Sequence, residues 1–258
     1  MLNKYFILIA IFLIACIIYF YYAYFDDSVD TIIDTTQPAQ TEDLSEFCMD
    51  RILSNKQAIK IAKQIKRDKK YWKSKNILMY ILGTASYIEG KKGYSYYKSE
   101  YTKTNKYLRK NYKELYDSLL TYFQQRTPNS KVAYRFALPG FHIFKCNKIF
   151  SLPVASVHKD RQYLQLKFNK NEDIDYDKTL SFTLSIELPP TGAGIILYEN
   201  DKKVKINYKV GHIVCHNGQT THMIAPSPVP KSKKQYHRIT LQGHGVYDKN
   251  SNTWWLYW

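Results

Sequence analysis

The chain has 258 residues, 45% hydrophobic and 16% aromatic, which excludes a disordered polymer and a mini-protein held together by staples. Its 38 lysines and arginines face 22 aspartates and glutamates, a formal charge of +16. Four cysteines, Cys16, Cys48, Cys146 and Cys215, are too few and too scattered for a disulfide framework, and no CxxC pair proposes structural zinc.

From Tyr5 to Phe25 the chain runs 21 residues without a charge. At about 1.5 Å per residue they reach roughly 30 Å, the thickness of a bilayer core. Tyr19, Phe20, Tyr21 and Tyr22 crowd the far end, where amphipathic rings favour lipid headgroups. A cleaved signal peptide would have a shorter apolar core and small residues at its end, so residues 1–25 read as an uncleaved transmembrane signal-anchor. Lys4 precedes the segment, whereas Asp26, Asp27, Asp30 and Asp34 follow it. This asymmetry predicts a single-pass membrane protein with a cytoplasmic amino terminus and a lumenal or extracytoplasmic C-terminal part.

Residues 26–42 have little to bury and read as an acidic linker. Residues 26–50 hold eight acidic side chains and no basic one, which leaves residues 51–258 near +23. Such a surface is either a lysine-rich solvated face or a site for an anionic partner. Residues 43–127 read as a helical support region. Residues 43–72 space Leu44, Phe47, Ile52, Ile59, Ala62 and Ile65 as one or two amphipathic helices, and 100–125 reads as another, with Leu108, Tyr112, Leu115 and Leu119 on one stripe. After Pro128 short β-rich runs alternate with Gly, Pro, Asn and Asp, so residues 128–258 predict a sandwich or jelly roll. The fold class expected is α+β, with the helical layer packed on that β domain.

All seven histidines lie between His142 and His244. His158-Lys159-Asp160 sits in an alternating strand, so His158 and Asp160 project from one face and can chelate one ion. His222 follows a β-rich run, with His216 as the rival third ligand. Two histidines and a carboxylate leave open positions suited to iron(II) and dioxygen. Arg238 and Thr240 share a strand face, so a guanidinium fork and a hydroxyl can converge on one carboxylate. A zinc site from His212, Cys215 and His216 is a further reading, although it lacks a fourth ligand. Cys146 and Cys215 read as small buried hydrophobes, and His142, His237 and His244 as hydrogen-bonded structural histidines. Trp254, Trp255, Tyr257 and Trp258 read as a closing strand.

At these residues, over roughly Lys131 to Tyr247, the chain resembles the iron(II)- and 2-oxoglutarate-dependent oxygenases. The resemblance implies a double-stranded β-helix in which His158, Asp160 and His222 bind iron and Arg238, assisted by Thr240, binds the far carboxylate of 2-oxoglutarate. It further implies a dioxygenase that converts 2-oxoglutarate to succinate and hydroxylates a C–H bond, with ascorbate as supporting reductant. A protein or peptide side chain is the substrate expected of an anchored enzyme that meets secretory chains. Collagen-type prolyl hydroxylases carry lysine where Arg238 stands. The nucleic-acid demethylating branch carries a second arginine where His244 stands, which makes nucleic acid the less favoured partner. The competing class is a non-enzymatic anchored jelly-roll module that binds an anionic polymer or serves a structural role.

Overall fold

Residue alternation along each strand sorts the C-terminal half of the chain into a side that packs on helices and a side that lines a cavity. The computed structural model describes residues 39–76, 78–89, 94–152, 156–199, 202–228 and 235–258. Nine of its strands form one sheet, containing the path β1-β9-β6-β11-β5-β3-β2 with β12 attached to β11 and β4 to β12. Here β1 is Cys48–Arg51, β2 Lys73–Ser74, β3 Met79–Leu82, β4 Lys131–Tyr134, β5 Gly140–Lys145, β6 Ile174–Glu187, β9 His212–Asn217, β11 His237–Asp248 and β12 Thr253–Tyr257. The smaller sheet has the order β10-β7-β8, with β7 Gly194–Glu199, β8 Lys202–Asn207 and β10 Thr221–Ile224. His158 adds a further pairing to its edge through two backbone bonds with His222, of 2.8 and 2.9 Å.

The chain passes between the sheets as it advances: β5 in the large sheet, the His158 segment in the small one, β6 large, β7 and β8 small, β9 large, β10 small and β11 large. That winding, antiparallel throughout these strands, is a jelly roll. The turn from β6 to β7 contains Gly192 at φ +78°, a conformation in which a side chain would be strained.

One face of the large sheet is apolar. Leu180, Phe182 and Leu184 of β6, Ile213 and Cys215 of β9, Ile239 and Leu241 of β11, and Phe141 and Ile143 of β5 pack in a single core with the helices. These helices are α1 (Asn55–Arg67) and α4 (Lys113–Arg126), the latter preceded by α3 (Tyr94–Asn111) and the one-turn α2 (Ser86–Glu89). Helix α1 begins at a capping box: Gln57 N–H donates to Ser54 Oγ, and Ser54 N–H donates to Gln57 Oε1. The helical run read over 100–125 is two helices, broken at Tyr112, whose ring turns into the core against Phe141 at 5.0 Å.

The stretch read as one or two helices over 43–72 holds one helix and the strand β1. Four residues are enough for β1 because its partner β9 supplies the backbone bonds. The apolar residues of β3 likewise pair with β5. The tail closes the sheet: β12 pairs antiparallel with β11 and parallel with β4. Trp258 then turns into a pocket beside Gly140, where any Cβ would lie 2.0 Å from its ring. Among the described residues no helix is long and apolar enough to cross a membrane. The segment Tyr5 to Phe25 and most of the acidic linker lie outside the described residues.

Candidate metal centre

The other face of the large sheet carries the polar residues. On β11 the alternation presents Arg238, Thr240, Gln242 and His244 to the interior between the sheets. Beside them stand His142 of β5 and Thr183 of β6. With Ile195 of β7, His222 and Met223 of β10, and Tyr208, they line a cavity of about 1380 Å³.

His158, Asp160 and His222 meet at this cavity, with one ligand atom from each within 4.8 Å of the others. Asp160 Oδ1 lies 3.7 Å from His158 Nε2, and Oδ2 lies 3.4 Å from His222 Nε2. Two ligands about 2.1 Å from one ion at right angles are about 3 Å apart, so small side-chain movements close the set on a metal. Each imidazole is oriented for the task. His158 Nδ1 bonds Ser156 O at 2.7 Å and His222 Nδ1 bonds Thr220 O at 2.9 Å. A carbonyl can only accept, so Nδ1 carries the proton and the Nε2 lone pair faces inward. Burial lowers the His222 pKa, which keeps that ring neutral and able to ligate.

Asp160 is buried and would by burial alone be pushed up. His244 and His222, with hydrogen bonds from Gln162 and Ser181, reverse this and hold the carboxyl well below its usual range. Gln162 Nε2 donates to Oδ1 at 2.8 Å and Ser181 Oγ to Oδ2 at 2.7 Å. The Asp160 backbone N–H donates to Gly218 O at 2.8 Å, tying the ligand to the loop between β9 and β10.

His216 stands behind His222, ring centroids 4.7 Å apart, and its Nδ1–H donates to Asn217 O at 2.9 Å. It lies outside the three-residue ligand group. The zinc reading of His212, Cys215 and His216 fails on strand alternation: His212 and His216 share one face of β9, whereas Cys215 is buried in the helical core on the other.

Arg238 occupies the far part of the polar face. Its guanidinium lies 5.5 Å from the Phe144 ring and 5.3 Å from the Tyr208 ring. Among the described residues its Nε is buried without a hydrogen-bond partner, while the Tyr208 hydroxyl meets the guanidinium from one side. Burial lowers its pKa, partly offset by Tyr208, but a guanidinium stays charged at neutral pH. Thr240 is buried two residues along the same face, paired across the sheet with His142. An uncompensated buried cation is costly, and a bound carboxylate would satisfy it. The residues therefore fit both a metal ion at His158, Asp160 and His222 and an anionic co-substrate at Arg238.

Several neighbours went unremarked in the sequence. The strand read around His158-Lys159-Asp160 is reduced to a single bridge at His158, and Gln162 opens a 3-10 turn, Gln162–Gln165, that brings its amide back to Asp160. His244, read as structural, stands 3.7 Å from Asp160 through Nδ1, with Ser181 Oγ at 3.2 Å from the same atom. Ser181 and Tyr208 reach the site by tertiary packing alone. His142 fits its structural reading, with the Tyr87 hydroxyl on its Nε2.

The chain matches no family model and no curated protein. Among solved structures it is similar to an N-substituted L-amino acid dioxygenase from Burkholderia ambifaria in complex with alpha-KG. That match has 12% identity over 63% of this chain and 69% of that one, with a TM-score of 0.40. It is also similar to a prolyl hydroxylase from Trichoplax adhaerens in complex with a hypoxia inducible factor peptide, at 15% identity over 77% and 83%, TM-score 0.43. An oxidoreductase of the 2OG-Fe(II) oxygenase family from Burkholderia pseudomallei matches at 8% identity over 80% and 85%, TM-score 0.43. Similarity at this level leaves activity to be read from the residues of the site.

Proposed function

We propose that the protein is an iron(II)- and 2-oxoglutarate-dependent dioxygenase that hydroxylates a C–H bond of a protein side chain. The observation that carries this reading is one cavity with a two-histidine, one-carboxylate cluster and, on its wall, a buried guanidinium that no carboxylate among the described residues meets. Iron(II) held there would supply the chemistry that couples decarboxylation of 2-oxoglutarate to succinate with oxygenation of the substrate, with ascorbate as supporting reductant.

The chain's own residues do the positioning. His158, Asp160 and His222 would hold the metal at the cavity wall. Gln162 and Ser181 keep Asp160 ionised and its oxygens aimed. Arg238, with Thr240, would grip the remote carboxylate of 2-oxoglutarate. Tyr208 and Phe144 screen the guanidinium from water and so strengthen that grip.

Support for a macromolecular substrate comes from the cavity mouth, where Ile149, Leu152 and Val157 are 51%, 44% and 36% exposed. Asp160 is the sole acidic residue on the cavity wall among the described residues, and Lys159 and Arg161 stand at its rim. The uncharged run Tyr5 to Phe25 and its flanking charges support membrane anchoring with the domain on the extracytoplasmic side. The basic surface of residues 51–258 would favour an anionic partner.

The test follows succinate formation by the full chain in detergent, stripped of metal and then given iron(II), 2-oxoglutarate and ascorbate. Turnover should require iron and vanish in His158→Ala. If neither turnover nor binding of iron and 2-oxoglutarate is detected, the oxygenase reading is wrong. Retention of salt-sensitive polyanion binding by His158→Ala would then favour the anchored binding module.

A further inference from the structure

A second cluster lies on the opposite side of the large sheet, away from the cavity. Cys48 of β1 and Cys215 of β9 are direct cross-strand partners in antiparallel register. Facing residues in such a pair have α-carbons about 4.5 or 5.5 Å apart, within the range a disulfide spans. Both are free thiols here: Cys48 half-buried, Cys215 fully buried. Around them stand Tyr122 and Arg126 of α4 and Asp50 of β1. The Tyr122 hydroxyl donates to Asp50 Oδ2 at 2.6 Å and lies 3.1 Å from Cys48 Sγ. Arg126 Nη1 lies 3.3 Å from the Tyr122 hydroxyl and 3.7 Å from Asp50 Oδ2. A hollow of about 170 Å³, lined by Thr41, Glu46, Cys48, Asp50 and Arg126, opens beside Cys48.

We propose that Cys48 and Cys215 are an oxidation site, joined by a disulfide that locks the edge strand β1 onto β9. The two thiols have unequal roles. Cys48 faces the hollow and has a guanidinium and a phenol close by, which suit a thiolate, whereas Cys215 is sealed beneath it. Neighbouring Cys215, Arg126 and Tyr122 lower the Cys48 pKa, against its burial, while burial raises that of Cys215. With a small disulfide such as oxidised glutathione, the Cys48 thiolate attacks one sulfur and expels one glutathione thiolate, which takes up a proton. The Cys215 thiol then loses its proton and displaces the second glutathione from Cys48. Two protein thiols are oxidised and one glutathione disulfide is reduced to two thiols.

The consequence is mechanical. β1 is an edge strand, paired among the described residues with β9 only, and it follows the N-terminal stretch that carries the Tyr5 to Phe25 run. A covalent link there would stop load from that stretch from peeling β1 away. It would also stiffen β9, whose following loop supplies Gly218 O to Asp160. The oxidation site stands whether or not the cavity binds iron.

The experiment uses the full chain in detergent, first reduced, then treated with oxidised glutathione, alkylated and mapped by mass spectrometry. The expected result is a peptide pair joined through Cys48 and Cys215, with Cys146 still open to alkylation. The oxidised protein should melt roughly 10 °C above the reduced one. Cys215→Ser should retain glutathione on Cys48 as a stable mixed disulfide, since the resolving thiol is gone. Alkylation of both cysteines after treatment, or glutathione persisting on Cys48 in the unmodified chain, overturns the proposal. The mapping needs no substitution, so a variant that fails to fold does not blunt it.

Discussion

Asp160 and Arg238 are buried charges handled in opposite ways. Asp160 has Gln162, Ser181 and a backbone anchor, whereas Arg238 has rings on two sides and no carboxylate among the described residues. The first charge is compensated by hydrogen bonds, whereas the second has no carboxylate partner among the described residues. Replacing Arg238 by Met should therefore raise the stability of the ligand-free protein by about 1–3 kcal/mol, because an unpaired buried charge is removed. The same variant should lose 2-oxoglutarate affinity by about 100-fold or more. Thermal unfolding and titration calorimetry on one preparation measure both, and a destabilised variant with intact affinity would contradict the assignment. Gln162→Leu keeps the volume near Asp160 but removes a bond that aims it, so iron(II) affinity should fall about 10- to 100-fold. Equilibrium competition against a chelator reads that change directly.

At the scale of elements, each long strand has two jobs. β11 sends Ile239 and Leu241 into the helical core and Arg238, Thr240 and His244 into the cavity. A one-residue slip would exchange the two sets, so the apolar core also holds the register of the site. This division was legible in the sequence, because alternation is a property of the extended chain itself. The strand β1 was not legible: four residues between apolar neighbours satisfy a helical stripe equally well, and pairing with β9 decides. Helix α4 is tied to β1 through Arg126, Tyr122 and Asp50, all buried. Arg126→Ala removes the buried guanidinium 3.7 Å from Asp50 and should cost roughly 3–5 kcal/mol, read by denaturant unfolding. By contrast, Ser54→Ala removes only the exposed cap of α1 and should cost about 1 kcal/mol.

For the whole molecule, the interior between the sheets holds several histidines in a low-dielectric setting. Burial lowers His142 to about 3 and His216 to about 4, with Arg238 and His222 respectively adding to the effect. Below about pH 6.5 the unfolded chain binds protons at these rings and the folded chain does not. Stability of the metal-free protein should therefore be full above that pH and fall steadily as pH drops toward 4. Each ring should withdraw about 2 kcal/mol by pH 5. Melting temperatures across this range test the sign, and His142→Gln should flatten the slope. Added iron(II) should raise the melting temperature in proportion to the logarithm of its concentration, as a ligand of the folded state does.

By itself the sequence determined the features set by covalent spacing. The alternation that puts Arg238 with Thr240 on a common face, the β-rich second half, and the amphipathic stripes of α1 and α4 follow from the repeat of a strand or a helix. Tertiary structure alone decided which distant groups meet. His222 rather than His216 joins the His158 and Asp160 ligand group because β10 pairs with the His158 segment, while His216 belongs to the large sheet. His244 reaches Asp160, and Cys48 faces Cys215 across 167 positions of chain, for the same reason. Those meetings depend on sheet order and register, which the packing of the whole core selects and local periodicity leaves undetermined.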